Sequence, residues 1–125
     1  MKILIIDDEI DLSLLLKSYF QRKGFHVYLS HSLSEGLEFI EKIDPDYLFL
    51  DNNLPDGLGW TEAPNIAAQH PKIQQFLISA YHPNIPTMPD NAHFTVLEKP
   101  ISFSDLDTRF HTSTTSENEA SSIDA

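Results

Sequence analysis

Apolar residues fall in short runs along the chain, and their periodicity switches between that of a buried strand and that of a helix. Lys2 to Asp7 is apolar without alternation until its acid, as in a central parallel strand covered on both faces. From Asp11 onward Leu12, Leu15, Leu16, Tyr19 and Phe20 recur at helical spacing, and Gly24 stands where a helix end favours positive φ. Phe25, Val27 and Leu29 then alternate up to Ser30, and Ser32-Leu33-Ser34-Glu35 has the form of a capping box ahead of Leu37 and Ile40. Asp44-Pro45 closes that second helix, because the ring disfavours a helical residue before it. Tyr47 to Asp51 repeats the first strand's pattern, again ending on an acid.

Leu54 to Gly59 is rich in turn residues, and Thr61 is placed to cap a short third helix through Gln69, with Pro64 tolerated in its first turn. Phe76 to Ser79 predicts a fourth strand, and Phe94 to Glu98 a fifth that Lys99-Pro100 stops. Between them, Pro83, Pro86 and Pro89 interrupt Tyr81 to Asn91, where a fourth helix would lie. An interior proline costs a helix about 3 kcal/mol, so an extended loop or irregular turn is expected. Ser104 is expected to cap a last short helix through Asp105, Leu106, Arg109 and Phe110. The segment 111–125 is Ser- and Thr-rich with almost no apolar residue, which predicts a disordered polar tail behind a folded domain, 1–110.

Strands alternating with helices at these lengths predict an open α/β fold, a doubly wound sheet of five parallel strands. Ligands bind such sheets outside the carboxyl ends of the strands. There the sequence puts Asp7, Asp8, Asp51, Ser79 and Lys99.

Composition narrows the picture. A chain of 125 residues holds one ordinary domain. Nineteen acids against eight Lys and Arg give a net charge of -11, which disfavours direct binding of nucleic acid. No apolar run is long enough to cross a membrane, and the first acids come too soon for a signal peptide, so a cytoplasmic address is expected. Without cysteine there are neither disulfides nor thiolate metal sites. The six histidines show no ligand spacing and are expected at the surface or in loops, while Trp60 is expected to be partly buried.

Three carboxylates at neighbouring strand ends repel one another, and a cation offsets that cost. Oxygen donors alone select Mg²⁺ or Mn²⁺, and Mg²⁺ characteristically keeps positions open for a phosphoryl oxygen. Lys99 offers a point charge and Ser79 a hydroxyl to the same group, and a carboxylate at such a site is able to attack phosphorus.

In these residues the chain resembles the receiver domains of two-component response regulators, from Met1 to about Phe110. The resemblance is carried by Asp7-Asp8 after a hydrophobic strand, Asp51-Asn52-Asn53-Leu54-Pro55-Asp56-Gly57, Ser79-Ala80 and Lys99-Pro100. It implies a flavodoxin-like receiver fold in which Asp51 is the phosphoacceptor. Asp8 is then a direct metal ligand, Asp51 a ligand as well as the acceptor, Asp7 a mainly water-mediated ligand, and the Asn53 backbone carbonyl completes the protein's share. Ser79 becomes the switch hydroxyl and Lys99 the partner of the phosphoryl group. The resemblance also implies a histidine kinase or phosphotransfer protein as donor, an effector protein or domain downstream, a monomer or weak dimer, and a domain that promotes only its own phosphorylation and dephosphorylation. The sequence holds no recognisable effector, so output is expected to pass to another protein or region.

Other readings fit less well. A haloacid-dehalogenase-like phosphatase resembles an Asp-x-Asp pattern, and position 53 is Asn. A flavin-binding protein needs a phosphate cradle after the first strand, where Asp7-Asp8-Glu9 would repel it. A degenerate receiver acting as a docking module is the stronger rival, because Val96 replaces the family's usual aromatic three residues before the lysine. By the same resemblance Tyr81 influences water access to the phosphoryl group.

Overall fold

The computed structural model describes residues 1–80 and 84–110. Strands β1 (Lys2–Ile6), β2 (His26–Ser30), β3 (Tyr47–Asp51), β6 (Gln74–Ser79) and β7 (Phe94–Glu98) form one sheet in the order β2-β1-β3-β6-β7, every neighbouring pair parallel. Between β3 and β6, β4 (Asn53–Leu54) and β5 (Gly57–Leu58) make a small antiparallel hairpin. With that hairpin set aside, the order is the 2-1-3-4-5 of the flavodoxin-like doubly wound fold.

Helix α1 (Ile10–Arg22) and helix α4 (Phe103–Phe110) cover one face of the sheet, and α2 (Leu33–Ile43) and α3 (Ala63–Gln69) the other. The unbroken apolar runs of β1 and β3 follow from this two-sided cover. Alternate residues of a strand point to opposite faces, so Ile3, Ile5 and Phe49 pack with Leu16, Phe20, Leu106 and Phe110. Leu4, Ile6, Leu48 and Leu50 pack instead with Ile40, Trp60, Ala63 and Ile66.

Local chemistry sets the element ends. Gly24 has φ 92 after α1, and Ser32 accepts the Glu35 N–H at the start of α2. Asp44, at φ 49, takes the left-handed conformation that closes α2 before Pro45. Three expected details change. Thr61 does not cap α3: its hydroxyl donates to the Leu58 carbonyl, inside a 3-10 turn (Gly59–Glu62) that runs directly into the helix. Ser102, not Ser104, caps α4, accepting the Asp105 N–H at 3.1 Å. Trp60 is buried rather than partly buried, and its indole N–H donates to the Leu50 carbonyl.

Residues 84–93 form no helix, as the prolines predict. Tyr81, Pro83 and the segment 111–125 lie outside the described residues, and with them the expectations of a shielding tyrosine and a disordered tail.

Candidate functional site

The site is built where β1, β3 and β7 end. Asp7 follows β1 directly, is 0% exposed, and donates its N–H to the Ser30 carbonyl at the end of β2. Its Oδ1 accepts the Glu9 N–H at 2.9 Å, and its carbonyl accepts the Ser13 hydroxyl at 3.3 Å. The turn from strand to helix α1 is thereby locked around a buried acid, leaving Asp8 exposed on the rim.

Asp51 is the last residue of β3 and 3% exposed. The chain after it is pinned on both sides. Asn52 donates its N–H to the Ile78 carbonyl, its own carbonyl accepts the Gly59 N–H at 2.8 Å, and its side chain accepts the Trp60 N–H. A Cβ on Gly59 would stand 2.2 Å from the Asp51 carbonyl oxygen, so only glycine lets the returning loop pass this close. Asp56, at the tip of the hairpin, accepts the N–H groups of Leu33 and Ser34 and ties the same loop to the start of α2.

Lys99 leaves β7 with its N–H bonded to the Ser79 carbonyl at 2.9 Å, and its peptide bond to Pro100 is cis. Its ammonium lies 3.1 Å from Asp7 Oδ2, 3.6 Å from Asp51 Oδ2 and 2.5 Å from Glu9 Oε1. Ser79 is buried at the end of β6, opposite Glu98 in β7. Asp8, Glu9, Asp51, Asn53, Ala80 and Lys99 share a cleft of about 670 Å³ with apolar side chains of α1 and of the segment after β7.

Burial is the largest influence on both inner acids. It raises the Asp7 carboxyl against the opposing pull of the Glu9 N–H and Lys99. It pushes Asp51 up to about 6, helped by the negative charge of Asp7 and opposed by Lys99. Burial alone would lower Lys99, but Glu9, Asp7 and Asp51 outweigh it and hold the ammonium above its ordinary value.

Asp7, Asp8 and Asp51 each offer an oxygen, all within 4.8 Å of one another, and among the described residues they are the one such group of acids and histidines. Asp7 Oδ2 is buried, and the Lys99 ammonium at 3.1 Å is the one partner found for it among the described residues. Hard oxygen donors, an excess of negative charge and an open cleft fit a divalent cation of the Mg²⁺ type. The arrangement pairs a buried carboxylate with a cation site on one side and an ammonium on the other, a set suited to receiving a phosphoryl group.

Sequence comparison agrees with the geometry: the response regulator receiver domain family matches residues 3–111. The chain belongs to this family. As a receiver domain of two-component signalling, it is 35% identical over 69 residues to the regulatory protein VanR of Enterococcus faecium, covering 55% of this chain and 30% of VanR. It is 27% identical over 82 residues to the sporulation initiation phosphotransferase F of Bacillus subtilis, covering 64% of each. The match thus spans less than two thirds of either relative. Among solved structures, a CheY-like receiver domain protein from Methanospirillum hungatei superimposes with a TM-score of 0.75 at 21% identity, over 92% of this chain and 94% of that one. The response regulator TrrA of Thermotoga maritima, solved in complex with Mg²⁺ and BeF, gives 0.75 at 24% identity, over 90% and 97%. At these identities the likeness establishes the fold. No helix among the described residues is long and apolar enough to cross a membrane.

The receiver domain brings Asp7, Asp8, Asp51 and Lys99 together as expected, with Asn53 on the same cleft and Ser79 at the adjoining strand end. Three further residues escaped sequence reasoning. Glu9 carries a signal, a third consecutive acid after the strand, but its partner Lys99 is ninety positions away. Gly59 and Asp56 serve contacts that appear only once the path of the loop is known.

Proposed function

We propose that Asp51 is the phosphoacceptor of this receiver domain and that its phosphorylation, with Mg²⁺ or Mn²⁺ bound, switches the domain's affinity for partners. The observation that carries this is the burial of Asp51 between two further carboxylates and an ammonium 3.6 Å away. Asp8, on the rim, is a direct metal ligand together with Asp51, Asp7 is a mainly water-mediated one, and the Asn53 carbonyl completes the protein's donors. The bound cation supplies positive charge against the phosphoryl oxygens. The Mg²⁺ and BeF complex of TrrA supports this assignment by likeness.

An Asp51 oxygen forms its bond to phosphorus in line with the donor bond that breaks, and the leaving imidazole nitrogen departs with its electron pair. Lys99 faces the negative charge as it arrives, and Ser79 closes on the product as the sensing hydroxyl. Water later attacks the phosphorus, releasing inorganic phosphate and restoring the carboxylate. The domain thus promotes only its own phosphorylation and dephosphorylation. The phosphoryl comes from a histidine kinase or phosphotransfer protein, and the output goes to an effector protein or domain in the cytoplasm. The domain acts as a monomer or weak dimer.

Incubation with Mg²⁺ and acetyl phosphate tests the assignment by intact mass. The wild type gains one acid-labile phosphoryl group, and Asp51→Asn gains none. A wild type that binds Mg²⁺ and takes no phosphoryl group would instead be a phosphorylation-independent docking module.

A further inference from the structure

The cation expected to meet the phosphoryl group already has a partner, and it is not Asp51. Of the three carboxylates around Lys99, Glu9 is nearest, at 2.5 Å, against 3.1 Å for Asp7 and 3.6 Å for Asp51. It is also by far the most exposed, its side chain 58% accessible against 0% and 4%. Glu9 is the N-cap residue of α1, yet its side chain makes no capping hydrogen bond. Caps are usually Ser, Thr, Asp or Asn, whose short side chains reach the first turn. Here the backbone alone makes the helix start: the Glu9 N–H goes to Asp7 Oδ1 and its carbonyl accepts the Ser13 N–H. The carboxylate is left to reach across the cleft to Lys99.

We propose that Glu9 is a placeholder for the phosphoryl group, holding the Lys99 ammonium in the unphosphorylated domain and giving it up when Asp51 is phosphorylated. The inference rests on Asp51 being the phosphoacceptor. An exposed ion pair ordinarily contributes little. This one differs because its cationic end is only 13% exposed and both ends line the cleft that the phosphoryl group must enter. A phosphoryl group brings up to two negative charges and three acceptor oxygens, while an ammonium has three N–H groups to share. Glu9 and Asp7 already take two of these, so a phosphoryl group that engages more than the third displaces the more exposed, solvent-facing partner, Glu9. Glu9 is thereby a positioning residue: it keeps Lys99 extended into the cleft and sets how readily the phosphorylated state forms.

Beryllofluoride, a phosphoryl mimic, titrated calorimetrically at saturating Mg²⁺ tests this on the full chain. Glu9→Gln keeps the shape and the backbone bonds but releases Lys99, and it is expected to bind beryllofluoride about five- to tenfold more tightly, a typical size for coupled sites. Asp11→Asn removes an equally negative side chain from the first turn of α1, without contact to Lys99 among the ion pairs, and should change affinity by less than about twofold. In the metal-free protein the ¹⁵N resonance of the Lys99 ammonium should move in Glu9→Gln and stay in Asp11→Asn. Equal tightening in both variants would reduce the effect to net charge and overturn the placeholder. So would unchanged binding or an unmoved resonance in Glu9→Gln. Failure of the wild type itself to bind beryllofluoride would instead remove the phosphoacceptor on which the inference rests.

Discussion

The two ends of β7 face different situations. At its carboxyl end the chain delivers Lys99 among three carboxylates and bonds Lys99 to Ser79, so that the site is crowded, buried and cross-linked. From its amino end to its middle, Phe94 and Val96 are 38% and 39% exposed, beside a stretch, 84–93, that forms no helix and leaves Ile85 55% exposed. One strand thus joins a tightly determined site to a lightly covered face. Chemistry at a receiver site tolerates little variation in geometry, whereas an exposed face is free to change its cover.

That contrast predicts how substitutions divide. The largest effect belongs to Gly59→Ala, whose new Cβ would meet the Asp51 carbonyl at 2.2 Å, backbone that does not yield cheaply. A loss of about 3 kcal/mol is expected in denaturant unfolding, the upper range of overpacking effects. A loss below about 1 kcal/mol would show that the site is looser than its hydrogen bonds suggest.

Next comes the charge of Asp51. Its folded carboxyl titrates at about 6, above the ordinary 3.8, so between these values the folded state binds more protons than the unfolded one. Stability in the metal-free protein therefore falls as pH rises from about 4 to about 6. Asp51→Asn removes this penalty. It should stabilise the metal-free domain by about 2 kcal/mol at pH 7, with the difference vanishing below pH 4. Added Mg²⁺ should stabilise the wild type and leave the variant nearly unchanged. Equal wild-type and variant stability across pH 4 to 7 would refute the raised carboxyl.

The smallest effect sits on the exposed face of the same strand, before Lys99. Val96→Ala removes an exposed side chain that no helix among the described residues covers, and a change within about 0.5 kcal/mol is expected. A loss of 2 kcal/mol there would mean that the face is covered, and the comparison would fail.

The same division governs what the sequence makes legible. The sheet announces itself because burial on both faces forces unbroken apolar runs such as Ile3 to Ile6 and Leu48 to Leu50. Asp7, Asp51 and Lys99 are readable because each ends one of those runs, and parallel strands bring like ends together. The prolines foretold the missing helix, since their effect is local. Contacts that depend on the path of a loop are hidden: Asp56 reaching α2, Gly59 passing the Asp51 carbonyl, and Glu9 crossing to Lys99. The caps misread at Thr61 and Ser104 are of this kind too. At α4 two hydroxyls compete, and the backbone path favours Ser102, immediately before the helix, over Ser104 inside its first turn, while at α3 the 3-10 turn that runs into the helix takes Thr61 to the Leu58 carbonyl.

The central claim is the identity of the accepting carboxylate, because Asp7 and Asp8 lie in the same cluster. Borohydride reduces an acyl phosphate to the alcohol, so reduction after treatment with acetyl phosphate and Mg²⁺, followed by peptide mapping, marks the phosphorylated position. The account predicts homoserine at position 51 and at neither 7 nor 8. Homoserine at 7 or 8, or an unmodified carboxylate at 51 in a protein that has gained a phosphoryl group, would contradict it.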